Sequence, residues 1–258
     1  MLPRDLLDRV ENRETLSRLL DLADRAIQTW DVVCSDFLSP PEITEALQVF
    51  GKMTEIHCLP WGGYAQAERQ RLAIARAELP LEESMVSLTP ISISGNFLFD
   101  TATHRDFLGA LLGNGIERQK VGDVNVLGEK GAQAIVVPEL VEYLQIHFKQ
   151  VRTVPVKVNA IAFEELKIRI PVTKELTSTE ASLRLDAIAS AGFGMSRSKM
   201  VDLINGDDVR VNWKTISQPS YQVKSGDLIA IRGKGRVTVG EIMITKKERY
   251  RVQMTRSV

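Results

Sequence analysis

The chain has 258 residues, with 33 Lys plus Arg and 33 Asp plus Glu, so its formal net charge is zero. This length suggests two domains or three small ones, and 44% apolar with 26% charged residues is ordinary globular usage, which argues against disorder. We find no apolar run near the ~18 residues of a membrane span and no apolar stretch of a signal peptide at the N-terminus. Cys34 and Cys58 are too few for a disulfide scaffold or a four-cysteine metal site. We therefore expect a reduced, soluble, cytoplasmic protein.

The zero net charge is a cancellation between two parts of the chain. Residues 1–180 hold 19 Lys/Arg and 26 Asp/Glu, a net charge of −7, whereas residues 181–258 hold 14 and 7, a net charge of +7. A basic segment attracts phosphates by Coulomb steering and by release of condensed counterions. Charge alone leaves two interpretations equally open: contact with a nucleic acid, or docking on the acidic part of the same chain.

Residues 1–83 are predicted to form a small α/β domain. Apolar residues recur with helical spacing from Leu16 to Ile27. A second helix is predicted from Pro40 to Phe50, a strand over 55–59, and a third helix over 68–78 that Pro80 stops. We find no catalytic signature in this domain.

Residues 84–170 are predicted to form a middle domain with the order β-α-β-β-α-β, the ferredoxin-like arrangement. This fold carries RNA-recognition modules but also enzymes and metal carriers, so the fold alone does not decide the function. The polar, Thr/Ser-rich residues 171–182 are predicted to be a linker. The predicted elements are strand 85–94, helix 103–112, strand 121–127, strand 132–137, helix 138–151 and strand 154–163.

Residues 183–258 begin with two short helices. The first carries Leu183, Ile188 and Ala191 on its apolar face and leads into a turn at 192–194. Ser196 caps the second helix, which we expect Gly206 to end in the left-handed conformation. Short strands follow, and the basic segment 244–251 either binds phosphate or completes a sheet.

This stretch resembles the S-four module, named after ribosomal small-subunit protein four, over about residues 183–232. The matching elements are Arg184-Leu-Asp186, Ser196-Arg-Ser-Lys199, Ile204-Asn-Gly206, Val209-Arg-Val-Asn212 and Gly226-Asp227. In that family the two helices and the following turn present a basic face to structured RNA. The resemblance implies RNA contact by Arg184, Arg197, Ser198 and Lys199, with Arg210, Asn212 and Lys214 nearby.

Each of these residues also has an ordinary structural interpretation. Arg184 can pair with Asp186 or Asp202, and Arg197 with Lys199 can be a solvated face. The sequence at Asn212 favours a turn former over a base reader, and Trp213 can either stack on a base or cover a hairpin tip. The phosphate interpretation depends on the start of the second helix, where free N–H groups, two hydroxyls and two cations meet.

The middle domain resembles the YlmH-like family through His104-Arg-Asp-Phe-Leu-Gly-Ala-Leu-Leu-Gly113, Gly115-Ile-Glu-Arg118, Lys120 and Val121-Gly-Asp123. The resemblance implies an N-terminal α/β domain, a ferredoxin-like middle domain and a C-terminal S-four module. It also implies a non-enzymatic adaptor of ribosome-associated quality control that contacts ribosomal RNA, tRNA and the large ribosomal subunit. We expect the protein to be a monomer. Similar proteins of photosynthetic lineages carry a photosystem-II label, which we interpret as indirect.

The same resemblance suggests a second cationic patch in the middle domain, made of Arg105, Arg118 and Lys120. The alternative is that Arg105 pairs with Asp106 or Asp123 and that Gly122-Asp123 makes a turn.

An RNA-modifying enzyme, of the pseudouridine synthase or methyltransferase type, is the main rival. The Arg-Leu-Asp sequence of a synthase occurs only at Arg184–Asp186, inside the module, and Gly233-Lys-Gly235 leads into a strand where a methyltransferase needs a helix. The histidines, His57, His104 and His147, are scattered, and no P-loop or HExxH motif is present. We expect no catalytic residues, no metal and no cofactor.

Overall fold

The computed structural model describes residues 10–168 and 172–257. The chain divides into two compact units, with the boundary between residues 169 and 170. The N-terminal segment 1–9 and Pro171, the first residue of the predicted linker, lie outside the described residues. The mixture of helices and antiparallel sheets confirms the predicted α+β class.

The first unit begins with two helices on a three-stranded antiparallel sheet of order β1-β3-β2. The helix α1 buries one face, which includes Leu16, Leu20 and Ala23, and α2 starts at a capping box made by Ser39 and Glu42. The elements are α1 (Arg13–Thr29), β1 (Val33–Cys34), α2 (Pro40–Phe50), β2 (Ile56–Trp61) and β3 (Arg71–Arg76).

The helix predicted over 68–78 is wrong, because its centre is the strand β3. This strand lies in the middle of its sheet, and residues 71–75 are all buried. A strand buried on both faces lacks the alternation that usually marks strands, and its Leu and Ala residues have high helix propensity. Tertiary packing overrides that propensity here.

The next elements follow the predicted order β-α-β-β-α-β and form a four-stranded antiparallel sheet of order β5-β6-β4-β9. The predicted helix 138–151 is shorter than expected, since residues 138–140 form a 3-10 turn and residues 150–151 begin a two-stranded ribbon. The elements are β4 (Thr89–Ser94), α3 (His104–Gly113), β5 (Val121–Val126), β6 (Gly131–Val136), α4 (Val141–His147), β7 (Gln150–Val151), β8 (Val154–Pro155) and β9 (Lys157–Ala160).

The two predicted N-terminal domains share a core and pack as one compact unit. Phe37 of the first part is buried together with Ile135 and Val137 of the second. Gly122 makes this approach possible, because a Cβ there would lie 2.6 Å from the Phe37 ring.

The second unit packs two helices on a six-stranded antiparallel sheet of order β10-β15-β14-β13-β11-β12. Gly192 lets the first helix approach the sheet, since a Cβ there would lie 2.9 Å from Val237. The elements are β10 (Thr173–Glu180), α5 (Leu185–Phe193), α6 (Arg197–Asn205), β11 (Val209–Val211), β12 (Lys214–Thr215), β13 (Leu228–Ile231), β14 (Gly235–Ile244) and β15 (Tyr250–Ser257).

Three local expectations for this unit need correction. The predicted linker 171–182 is largely the strand β10, whose eight residues all pair with β15. Gly192 and Phe193 belong to α5, so the turn between the helices begins at Gly194. Gly206 has a φ of −86°, and the left-handed residue after α6 is Asp207, with a φ of +61°. The segment 244–251 completes the sheet, because it forms the end of β14, a turn and the start of β15.

Candidate nucleic-acid interface

The helices α5 and α6 are joined by a short turn that brings their first residues together. Gly194 ends α5 with a φ of +65°, a left-handed conformation that costs glycine little. Ser196 then caps α6, with its hydroxyl oxygen accepting a hydrogen bond from the Lys199 N–H at 3.4 Å. The result is that Arg197, the first residue of α6, reaches Asp186, the second residue of α5.

Asp186 anchors two arginines at once. Its carboxylate accepts two hydrogen bonds from Arg184, from Nε and Nη2, both at 3.1 Å. It accepts two more from Arg197, from Nε at 3.1 Å and Nη2 at 3.2 Å. The Asp186 side chain is only 4% exposed, whereas those of Arg184 and Arg197 are 38% and 56% exposed. The carboxylate is therefore buried while both guanidinium groups still reach solvent.

The electrostatics of this cluster favour an anion. Burial of Asp186 raises the pKa of its carboxyl, but hydrogen bonds from Arg184 and Arg197 outweigh burial, so the pKa lies below its ordinary value. One carboxylate faces two guanidinium groups, which leaves a net charge of +1. Each arginine uses two of its five N–H donors on Asp186. The arrangement can therefore hold a phosphate with arginines that are already oriented.

Two more predicted residues lie beside Arg197 on the first turn of α6. Ser198 and Lys199 are both exposed. Near the start of a helix, backbone N–H groups and the positive end of the helix dipole favour negative charge. The structure thus brings Arg184, Arg197, Ser198 and Lys199 together at one end of the helix pair.

The remaining predicted residues of this unit lie on the β11–β12 hairpin. Arg210 and Lys214 are exposed on its two strands. Asn212 has a structural role, because its side chain donates to the Asp227 carboxylate at 2.8 Å and accepts from the Leu228 N–H at 2.9 Å. Its φ of +48° fits a turn former, the alternative that the sequence favoured.

In the first unit, two of the three predicted cations are engaged in internal contacts. Arg118 is half-buried and donates to the backbone carbonyls of Val121 and Gly122. Lys120 makes an ion pair with Asp36 at 2.6 Å between Nζ and Oδ1. Burial and the nearby Arg69 lower the pKa of Arg118 to about 10. The Lys120–Asp36 ion pair joins the two halves of the unit, whereas the Arg118 hydrogen bonds stay within the segment that leads into β5.

Arg105 differs from these two residues because its side chain is exposed on the first turn of α3. The suggested pairing with Asp123 is absent among the described residues, since Asp123 accepts hydrogen bonds from the Tyr64 hydroxyl and from the N–H groups of Glu68 and Arg69. The structure gives no common cluster for Arg105, Arg118 and Lys120.

Sequence reasoning missed a cluster around Trp213. The Arg236 guanidinium carbon lies 4.8 Å from the centroid of the Trp213 ring, and Arg232 lines the same cleft. The signal for it in the sequence is the basic turn at Arg232-Gly-Lys-Gly-Arg236, between β13 and β14.

Other functional groups are sparse in the described part of the chain. No group of three or more His, Cys, Asp or Glu side chains within residues 10–168 and 172–257 is arranged to hold a metal ion. Burial raises the pKa of the Cys58 thiol to about 11, which disfavours the reactive thiolate. None of the helices in these ranges is long and apolar enough to cross a membrane.

The fold and the arginine cluster define an α+β protein with an S-four RNA-binding module. Family models agree along the chain: "YlmH, N-terminal" matches residues 11–79, "Putative RNA-binding domain in YlmH" matches 82–165, and the S4 domain, the S-four module, matches 183–229. The ribosome-associated protein quality control protein P2 of Bacillus subtilis is 32% identical over 249 residues, 96% of each chain. The chain belongs to the YlmH family.

Two further relatives match smaller parts. Small ribosomal subunit protein uS4 of Pseudomonas savastanoi pv. phaseolicola is 44% identical over 54 residues, which are 20% of this chain and 26% of that protein. A solved structure of the cell division protein ylmH from Streptococcus pneumoniae superimposes with a TM-score of 0.52 at 19% identity. It covers 60% of this chain and 94% of that one, and it supports the fold alone.

Proposed function

We propose that this protein is a non-enzymatic RNA-binding adaptor that acts on the ribosome or on tRNA, in ribosome-associated quality control or a related step of translation. Its C-terminal module clamps phosphates of structured ribosomal RNA or tRNA. The relative with near-complete coverage is named for ribosome-associated quality control, which supports this assignment. The large ribosomal subunit is the proposed partner, the protein acts as a monomer, and its site of action is the cytoplasm, where ribosomes work.

The observation that carries the proposal is the pair of arginines on Asp186. A flexible arginine loses side-chain freedom when it grips a phosphate, whereas Arg184 and Arg197 are already held by two hydrogen bonds each. Ser198 and Lys199 add a hydroxyl and a cation on the adjacent turn. We assign Arg210 and Lys214 to the periphery of the same surface, and Asn212 to shaping the hairpin that carries them.

We assign the strand order β5-β6-β4-β9 of the first unit to the ferredoxin-like fold. We assign the second unit to the fold of the S-four module, also called the αL fold. The matched family model names the middle part a putative RNA-binding domain. Arg105 is the predicted cation there whose side chain is exposed, so we propose it as an RNA contact. Lys120 contributes by holding the two halves of the unit together, and Arg118 by fixing the start of β5.

The direct test is sedimentation of the full chain with purified ribosomal subunits. We expect the wild type to sediment with the large subunit and Arg197→Glu to remain in the supernatant. Lys246→Glu is the matched control, because it makes the same charge change on the exposed turn between β14 and β15. If the wild type does not sediment with either subunit, or if all three proteins behave alike, the proposal is wrong.

A further inference from the structure

The second unit contains a cleft of about 540 Å³ at the end of α6 opposite to Arg197. It is bordered by the α6–β11 connection, the β11–β12 hairpin and the turn between β13 and β14. A volume of this size accommodates a small-molecule ligand or a nucleotide. The side chains that matter here are Asp207, Asp208, Arg210, Trp213, Arg232 and Arg236.

Asp207, Asp208, Arg210 and Arg232 give the cleft charged groups of both signs. Among residues 10–168 and 172–257, no hydrogen bond or ion pair engages the side chains of Asp207, Asp208, Arg210 or Arg232. Carboxylates and guanidinium groups around one cleft usually neutralise each other. In this cleft the two carboxylates and the two guanidinium groups do not pair with each other, so both acceptors and donors are available to a ligand.

Trp213 adopts a strained backbone conformation that the hairpin requires but that a glycine would adopt more easily. Asn212 and Trp213 have φ values of +48° and +70°, so the two-residue turn between β11 and β12 has both residues in the left-handed region. Asn-Gly is the sequence that favours such a turn, because glycine adopts it without steric cost. An indole at this position costs stability, and strain of this kind is typical of functional sites.

The indole ring of Trp213 is positioned so that a base in the cleft can stack on it. The Arg236 guanidinium carbon is 4.8 Å from its centroid, and the ring is partly exposed at the border of the cleft. Flat aromatic rings and guanidinium planes are the surfaces on which proteins stack unpaired RNA bases. The cleft thus combines a stacking platform with polar groups that can contact the edge of a base.

We propose that this cleft binds one unpaired base of the RNA, with a preference for guanine, an inference that rests on the proposed function. Guanine presents two adjacent N–H donors on its Watson–Crick edge, which match one carboxylate of Asp207 or Asp208, whereas uracil presents only one. Arg210 and Arg232 contact the phosphates on either side. The helix α6 has nine residues, so the base cleft and the phosphate site at Arg197 lie ~13 Å apart along it.

The two ends of α6 suit these two roles. Its N-terminus favours phosphate, while its C-terminus is the negative end of the dipole and favours hydrogen-bond donors such as the guanine edge. A strand with a bulged nucleotide satisfies both ends together.

The test uses the full chain and three labelled RNA hairpins, with a bulged guanosine, a bulged uridine or no bulge. Binding is measured by fluorescence anisotropy. Wild type should bind the bulged-guanosine hairpin about tenfold more tightly than the hairpin without a bulge. Trp213→Gly should lose this preference, and its melting temperature should be equal to or above that of the wild type because it creates an Asn-Gly turn. Trp213→Phe, which keeps both the strain and an aromatic ring, should stay within about threefold of wild type.

The carboxylates are tested by Asp207→Asn combined with Asp208→Asn, which should bind bulged guanosine and bulged uridine equally. The inference is overturned if wild type shows no preference among the hairpins, or if Trp213→Gly retains it. Arg197→Glu separates this result from the proposed function, because it should weaken binding of all three hairpins. If it does so while Trp213→Gly has no effect, only the base cleft is wrong.

Discussion

Each unit of the protein contains a pair of neighbouring arginines, and the two pairs have different surroundings. In the second unit, Arg184 and Arg197 share the buried carboxylate of Asp186 and remain partly exposed. In the first unit, Arg69 and Arg118 donate to backbone carbonyls, including that of Val121, which both contact. Burial lowers the pKa of Arg118 and of Arg69.

The comparison shows that the number of arginines does not identify a nucleic-acid site. What matters is which N–H donors the protein itself uses and whether the guanidinium group reaches solvent. A carboxylate anchor orients an arginine while leaving its outer edge available, whereas backbone carbonyl acceptors engage Arg69 and Arg118 in contacts inside the protein. The following predictions test this difference, from the largest expected effect to the smallest.

Arg197→Glu should weaken binding of a structured ribosomal RNA fragment about fiftyfold. The change removes a charge-assisted phosphate contact and places a second carboxylate next to Asp186. Fluorescence anisotropy with the full chain measures the effect, and Lys246→Glu serves as control for net charge. Equal losses for the two variants would mean that only total charge matters.

Asp186→Asn should lower the free energy of unfolding of the second unit by about 2 kcal/mol, because two arginines lose a charged acceptor. Although this variant raises the net charge by one, we expect its RNA affinity to fall about fivefold, since the arginines lose their orientation. Tighter binding would show that charge outweighs positioning. The measurements are urea unfolding and RNA titration of the same samples.

The Asp186 carboxylate should also make the free energy of unfolding depend on pH. The pKa of Asp186 is lowered on folding, so its stabilising effect is complete above the ordinary aspartate value of about 3.9 and is lost as the pH falls through the lower folded value. The difference in unfolding free energy between wild type and Asp186→Asn should therefore be constant near neutral pH and shrink in acid. A difference that grows in acid would contradict this assignment.

Arg118→Met should lower the free energy of unfolding of the first unit by about 1.5 kcal/mol, because the carbonyls of Val121 and Gly122 lose a charged donor. Its RNA affinity should remain within about twofold of wild type. A large loss of RNA binding without a loss of stability would show that Arg118 contacts RNA, as the sequence suggested.

Lys120→Met should have the smallest effect on stability and lower the free energy of unfolding of the first unit by about 0.5 kcal/mol. The reason is that its ion pair with Asp36 is partly exposed and solvent screens it.

Arg105→Met provides the contrast within the same unit: it should leave the free energy of unfolding unchanged and weaken RNA binding about threefold. Thermal unfolding and RNA titration of both variants check the two expectations.

The sequence predicted the elements that have strong local signals. Helix α1 shows clear periodicity, while capping boxes or caps mark the starts of α2, α3 and α6. The prediction of a helix at β3 and of a linker at β10 failed for opposite reasons. The first is too uniformly apolar to show alternation, and the second is too polar to suggest burial, although its threonines favour strands.

The candidate site was predictable as a set of residue types but not as a set of contacts. The proximity of Arg184 to Asp186 follows from their spacing, whereas that of Arg197 depends on where α5 ends and how the turn at Gly194 redirects the chain. The engagement of Lys120 depends on the packing of two halves that the sequence treated as separate domains, because its ion-pair partner Asp36 belongs to the other half. Such long-range contacts have no local signature.

The most direct test of the central claim is the salt dependence of RNA binding by wild type and Arg197→Met. Each phosphate contact releases counterions, so removal of one contact should lower the slope of log affinity against log salt by about one. We predict this decrease for Arg197→Met and an unchanged slope for Arg118→Met. If Arg197→Met had the wild-type slope, the guanidinium groups anchored on Asp186 would not contact phosphate, and the account would be wrong.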